Sequence, residues 1–155
     1  MKLEKAEKQQ IEDIVNISKR AFATDVEVGG AVGDCPPEYD SISWHEQMMK
    51  EGHLYQATVE GTIVGGAILF LSNNEEELYI GRIFIDNEYH KKGYGIRMME
   101  LIENLYPGVK EINLDTPLWN TRTKSFYRKL SYTEIKQEDG FVYYQKRMER
   151  INQNA

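Results

Sequence analysis

Tyr79-Ile80-Gly81-Arg82-Ile83-Phe84-Ile85-Asp86-Asn87-Glu88-Tyr89-His90-Lys91-Lys92-Gly93-Tyr94-Gly95-Ile96-Arg97-Met98 runs from an apolar stretch through a short polar loop to two spaced glycines. Met98, Leu101, Ile102 and Leu105 then fall at i, i+3, i+4 and i+7, the spacing of an amphipathic helix. Pro107-Gly108 stops it. The stretch therefore predicts a strand, a tight turn and a helix. Backbone N–H groups at a helix start lack intrahelical partners and carry partial positive charge, so they attract phosphate. Glycine removes the Cβ that would hold a pyrophosphate off the backbone. Lys91 and Lys92 add a screened attraction. Two glycines alone fit an ordinary turn equally well. A P-loop is excluded because no Gly-Lys-Ser/Thr follows, and a dinucleotide fingerprint because Met98 replaces its third glycine.

Lys2 to Ala6 reads as a short first strand. Ile11, Ile14, Val15 and Phe22 place a helix over about Gln9 to Phe22, and the Gly-, Pro- and Asp-rich span Thr24 to Asp40 is a loop. Ser41 or Ser43 caps a second helix through Trp44, Met48 and Met49, ending at Gly52. His53–Val59 and Thr62–Leu71 read as strands joined at Glu60-Gly61. The second is apolar throughout, which predicts a central strand covered on both faces. Glu77–Ile85 is a further strand, Glu111–Asp115 another, and Arg122–Leu130 a helix. Tyr132–Lys136 and Phe141–Lys146 form a hairpin around Asp139-Gly140. Hairpin strands early and strands alternating with helices later predict a mixed, twisted sheet flanked by helices.

The 155 residues fit one domain over 1–150, with a polar tail at 151–155. No apolar run reaches the ~20 residues that span a bilayer, and the charged Met1-Lys2-Leu3-Glu4-Lys5 start does not read as a signal peptide. The lone Cys35 cannot form an internal disulfide, so a cytoplasmic location without membrane contact is expected. A net charge of −6 argues against nucleic acid as a partner. The charge is uneven. Ala21 to Met49 has no Lys or Arg but holds Asp25, Glu27, Asp34, Glu38, Asp40 and Glu46, whereas His90 to Arg97 is basic. Two ligands of opposite sign would explain this, and so would a solvated acidic loop. His45, His53, His90 and Cys35 lack metal-ligand spacing, so no metal is expected.

His90-Lys91-Lys92-Gly93-Tyr94-Gly95 resembles the Gln/Arg-x-x-Gly-x-Gly/Ala turn of the GNAT N-acetyltransferase superfamily, with His90 departing from the usual Gln or Arg. A second block is similar to the same family: Leu114-Asp115-Thr116 to Asn120, then Ser125-Phe126-Tyr127 through Ser131-Tyr132, with Ser131 in place of a glycine. The resemblance implies an α/β (α+β) fold, a mostly antiparallel sheet of about seven strands flanked by four helices. It implies acetyl-CoA as acyl donor and a primary amine as acceptor. Ile83, Phe84 and Ile85 would face the pantetheine arm and acyl carbonyl. His90, Lys91, Lys92, Gly93, Tyr94, Gly95 and Ile96 would hold the pyrophosphate, and Asn120 would contact the arm. Tyr127 would protonate the departing thiolate, and dimers are common in the family, which leaves a homodimer among the expectations.

Many members carry a Glu on the fourth strand as general base, but Tyr79-Ile80-Gly81-Arg82 has none. Glu77 is the nearest carboxylate, His45 a second candidate, and solvent a third. The acidic loop suggests a cationic acceptor held by Asp34, Glu38, Tyr39 and Asp40, with Trp44 and Tyr55 lining an acceptor pocket or packing in the core. The missing strand-four Glu also fits a non-catalytic CoA-binding module, against which Tyr127 and Asn120 argue.

Overall fold

A computed structural model describes residues 1–30 and 35–149. Among them are seven strands and four α-helices: β1 (Lys2–Lys5), α1 (Ile11–Ala23), α2 (Ile42–Lys50), β2 (Leu54–Val59), β3 (Thr62–Leu71), β4 (Glu77–Ile85), α3 (Tyr94–Leu105), β5 (Glu111–Pro117), α4 (Thr121–Lys129), β6 (Thr133–Glu138) and β7 (Phe141–Arg147). One sheet takes the order β1-β2-β3-β4-β5-β7-β6. Every neighbouring pair is antiparallel except β4 and β5. That exception follows from α3, the crossover between them, since parallel neighbours need a long return. The expected order of elements and mixed sheet are present, with small differences at element ends. Short 3-10 turns precede and follow α1, at Lys8–Gln10 and Thr24–Val28. Ser41, not Ser43, caps α2 by accepting from the Trp44 amide.

Two apolar layers hold the sheet. α3 buries Met98, Met99 and Ile102 against Leu78, Ile80, Ile112 and Leu114. α1 buries Ile11, Ile14, Val15 and Ile17 against Leu54, Ile68 and Phe84 on the other face. The uninterrupted apolar run of β3 follows from this arrangement, since its inward residues alternate between the two layers.

The sheet is not continuous along its whole length. β4 pairs with β5 only from Glu77/Glu111 to Ile80/Leu114. Beyond that, β4 stays with β3 through Ile85/Gly65, while β5 stays with β7 through Pro117/Phe141. The break coincides with a bulge, because Ile68 pairs with Arg82 and Leu69 with Ile80, leaving Gly81 unpaired. A bulge bends its strand and sharpens the twist, which turns β4 away from β5. A side chain at Gly81 would meet the Phe70 ring at 2.7 Å, so glycine permits the bend. β5 runs two residues past the expected Asp115 because Asp115, Thr116 and Pro117 keep pairing with β7. Pro117 is tolerated there because the strand's other edge has no partner.

Candidate active site

The fork between β4 and β5 opens into a cavity of about 690 Å³, walled by Ile83, Phe84 and Ile85 on one side and Asn120, Phe126 and Tyr127 on the other. Its floor is the turn into α3. Gly93 caps that helix in the left-handed region (φ 78) with no side-chain cap, and the first helical bond is Arg97 N–H to Gly93 C=O at 3.1 Å. The amides of Tyr94, Gly95 and Ile96 precede it and are left without intrahelical acceptors. Lys91, at φ 64, and His90 border the cavity as well.

The turn is anchored from two directions. His90 donates from Nε2 to the Ile85 carbonyl at 2.8 Å. Asp86, 3% exposed, receives a two-pronged contact from Arg20 of α1 at 3.1 and 2.8 Å. That contact holds the Asp86 carboxyl below the usual range, so it stays ionised. Its amide donates to Val64 of β3 at 2.8 Å. The basic turn thus hangs on a buried carboxylate tied to α1 and β3.

Tyr127 is 5% exposed and makes ring contacts with Phe126, Tyr132 and Tyr144. Its hydroxyl makes no hydrogen bond to the described residues, and the residue borders the cavity. Burial pushes the phenol pKa up, and the charge of Asp115 adds to this, so it remains protonated at neutral pH. Asn120 caps α4, its Oδ1 accepting from the Thr123 amide at 3.1 Å, which leaves its amide nitrogen to the cavity.

Of the residues expected around a donor, Ile83, Phe84, Ile85, His90, Lys91, Gly93, Tyr94, Gly95, Ile96, Asn120 and Tyr127 come together here. Lys92 does not: its ammonium lies 5.7 Å from the centre of the Tyr89 ring, outside the cavity. Other neighbours carry no signal of this role in the sequence, Phe126, Arg122 and Asp25 among them. Phe126 packs under Gly95, 3.4 Å from where a Cβ would stand. Arg122 reaches across to Thr24 Oγ1 (3.0 Å) and Asp25 Oδ1 (3.4 Å), so the end of α1 is strapped to α4 over the cavity. Asp25 belongs to the acidic stretch, but no local pattern marks it apart from its neighbours.

The expected general bases are elsewhere. Glu77 is exposed at the start of β4, six residues from Ile83, or roughly 20 Å along a strand. It does not border the cavity. His45 is fully buried, donating from Nδ1 to the Ser41 carbonyl at 2.7 Å with Nε2 unpartnered. Tyr55 is also a core residue, bonded to Tyr106. Trp44 packs under the Arg82 guanidinium, 4.6 Å from its ring centre. Glu38 and Asp40 are exposed and Tyr39 half-buried in the turn before α2, where Arg82 donates to the Pro37 carbonyl at 2.8 Å; none of the three borders the cavity. Asp34 lies outside the described residues.

His45 supplies a pH-dependent stability. Burial, chiefly, and the nearby Arg82 hold its pKa down, opposed by the bond to Ser41. In the unfolded chain it takes a proton near pH 6.5, while the folded chain resists. Below that pH the unfolded state binds more protons, so stability falls with pH, by up to about 1.4 kcal/mol per pH unit from this group. Urea unfolding between pH 7.5 and 5 should show a shallower decline for His45→Gln than for the wild type. Parallel declines would exclude His45 as the responsible group.

The acetyltransferase (GNAT) family model matches residues 11–132. An uncharacterised protein of Bacillus subtilis, YrkN, is 27% identical over 128 residues, covering 82% of this chain; the chain spans only 65% of that relative's length. Among solved structures, a GNAT acetyltransferase from Streptococcus agalactiae superposes with a TM-score of 0.82 at 18% identity, covering 96% of both chains. The PaiA N-acetyltransferase of Thermoplasma acidophilum, solved with coenzyme A, gives 0.80 at 16% identity, over 95% of this chain and 98% of that one. The Escherichia coli ribosomal-protein-S18-alanine N-acetyltransferase gives 0.76 at 17% identity, over 99% and 97%. With the forked sheet, the unpaired helix start and the family match covering most of its length, the chain belongs to the GNAT acetyltransferase family, whose members transfer acetyl groups from acetyl-CoA.

Proposed function

We propose that this chain passes the acetyl group of acetyl-CoA directly to a primary amine, both substrates being bound at once. One cavity holds both the unpaired amides at the start of α3 and Tyr127, a buried residue whose hydroxyl makes no hydrogen bond to the described residues, and this carries the assignment. In this reading the amides of Gly93 to Ile96 take the pyrophosphate, with Lys91 adding charge. The pantetheine arm runs along Ile83–Ile85, whose backbone edge β5 leaves unpaired. The amide nitrogen of Asn120 contacts the arm, since its oxygen is committed to Thr123. Tyr127 gives its proton to the departing thiolate. The acceptor is cationic and approaches past the acidic turn of Glu38 and Asp40.

The donor half is tested by calorimetry. Lys91→Glu should weaken acetyl-CoA binding about tenfold at low salt, roughly 1.4 kcal/mol, and less at 0.5 M salt. An affinity indifferent to this charge reversal would place the pyrophosphate elsewhere. The catalytic half is tested by thiol release from acetyl-CoA with a panel of primary amines. Tight donor binding with no amine turned over would identify a CoA-binding module instead.

A further inference from the structure

The fork holds a second polar group, which opens on the other side of the sheet. Asp115 is the first β5 residue past the last β4–β5 pair. Its neighbours Leu114 and Thr116 are buried toward α3 and α4, so alternation points Asp115 to the opposite face. Among the described residues, helices α1 and α2 make their main sheet contacts with β2, β3 and β4. Tyr79, Asn113, Tyr143 and Gln145 share the face of Asp115, with Gln145 donating to Asn113 at 3.0 Å.

Asp115 is half-buried, and Tyr79 donates to its Oδ2 at 2.5 Å. Its Oδ1 accepts no hydrogen bond among the described residues, and no described Lys, Arg or His pairs with it. A carboxylate partly withdrawn from water without a counter-charge is costly, and a cation removes the cost. The Tyr79 hydroxyl, while donating to Asp115, still has lone pairs to accept a hydrogen bond. A primary ammonium carries three N–H donors, enough for Oδ1 and the Tyr79 oxygen together. The second pointer to a ligand is Tyr127 in the same fork, 5% exposed, its hydroxyl making no hydrogen bond to the described residues. Tyr127 packs in the layer with Leu114, on the sheet face opposite the one Asp115 points to, and the Asp115 charge also raises the pKa of that phenol.

We infer that Asp115 and Tyr79 form the seat for the acceptor's primary ammonium group, presented to the fork from the sheet face they share. This rests on the acetyl-transfer reading and adds the acceptor's binding site and its required charge. One ammonium proton leaves to water at the open face, and the nitrogen lone pair forms the C–N bond. The C–S bond breaks with its electron pair on sulfur, which takes the Tyr127 proton. The second nitrogen proton restores Tyr127 through water. A neutral hydroxyl acceptor cannot compensate Asp115, so the site selects amines over alcohols.

The test uses the full chain saturated with CoA, titrated with n-butylammonium chloride and separately with n-butanol, followed by amide shifts in NMR. Saturable binding of butylammonium centred on residues 79 and 113–116, and none of butanol, is expected. Asp115→Asn keeps the shape and removes the charge, and should weaken butylammonium at least tenfold; Tyr79→Phe should weaken it several-fold. CoA affinity should be unchanged in both variants. Equal affinity in Asp115→Asn, equal binding of butanol, or no saturable binding to the wild type would each overturn the ammonium seat. Failure of the wild type to bind CoA would overturn the donor reading instead, and titration of the free protein would then still judge Asp115.

Discussion

Tyr127→Phe is expected to lower kcat about 10²–10³-fold, the usual range for loss of a positioned proton donor. Acetyl-CoA affinity should stay within about twofold, because no donor-turn contact runs through the hydroxyl. The fold should be unaffected: the ring contacts with Phe126, Tyr132 and Tyr144 persist in phenylalanine, and the lost hydroxyl leaves no partner unsatisfied. The raised pKa of Tyr127 does not contradict a donor role. A free thiol ionises near pH 8.5, so transfer to a thiolate in water would be uphill. In the fork, burial and the Asp115 charge penalise a thiolate beside Tyr127 as they penalise a phenolate. A thiol raised by the same surroundings would take the proton from a group closer to its own strength. Stopped-time thiol release with the best amine, alongside calorimetry for acetyl-CoA, checks this. A variant within threefold of wild-type kcat would remove Tyr127 from the chemistry.

What was legible in the chain and what was not divides along contact range. The donor turn reads locally: strand, glycines, basic flank and helix start lie within twenty consecutive residues. Asn120 and Tyr127 read from one short block for the same reason. The fork itself does not. It depends on Gly81 bulging against β3 while β5 keeps β7, and neither register is written in a local period. The Arg20–Asp86 anchor joins residues 66 apart in the chain, and the Arg122–Asp25 strap residues 97 apart. Glu77 was a reasonable base by proximity in sequence, but a strand converts six residues into roughly 20 Å. In the sequence Asp115 reads only as part of a motif. Its missing counter-charge becomes visible only once the neighbours from β4 and β7 are in place.

Gly65→Ala should be among the most destabilising single methyl additions in the chain, costing about 3 kcal/mol, the upper end for overpacking a tight interior. An added Cβ would stand 2.3 Å from the Phe84 carbonyl oxygen and 3.0 Å from Ile85 Cδ1. The first contact is with backbone, so no side-chain rotation relieves it, and β3 and β4 must part. β5 cannot hold β4 there, because their pairing ended at Ile80 and Leu114. The displacement therefore falls on Ile83 to Ile85 and on the Asp86 amide bonded to Val64, that is, on the donor wall and the anchor of the turn. Stability and acetyl-CoA affinity should fall together, affinity by at least tenfold. Gly61→Ala is the comparison: nothing lies within 4 Å of its added Cβ, and its φ of +82 alone should cost about 1 kcal/mol. Urea midpoints and calorimetry on both variants measure the difference. If Gly65→Ala were no less stable than Gly61→Ala, or kept full donor affinity, the close β3–β4 approach would not be what shapes the cavity.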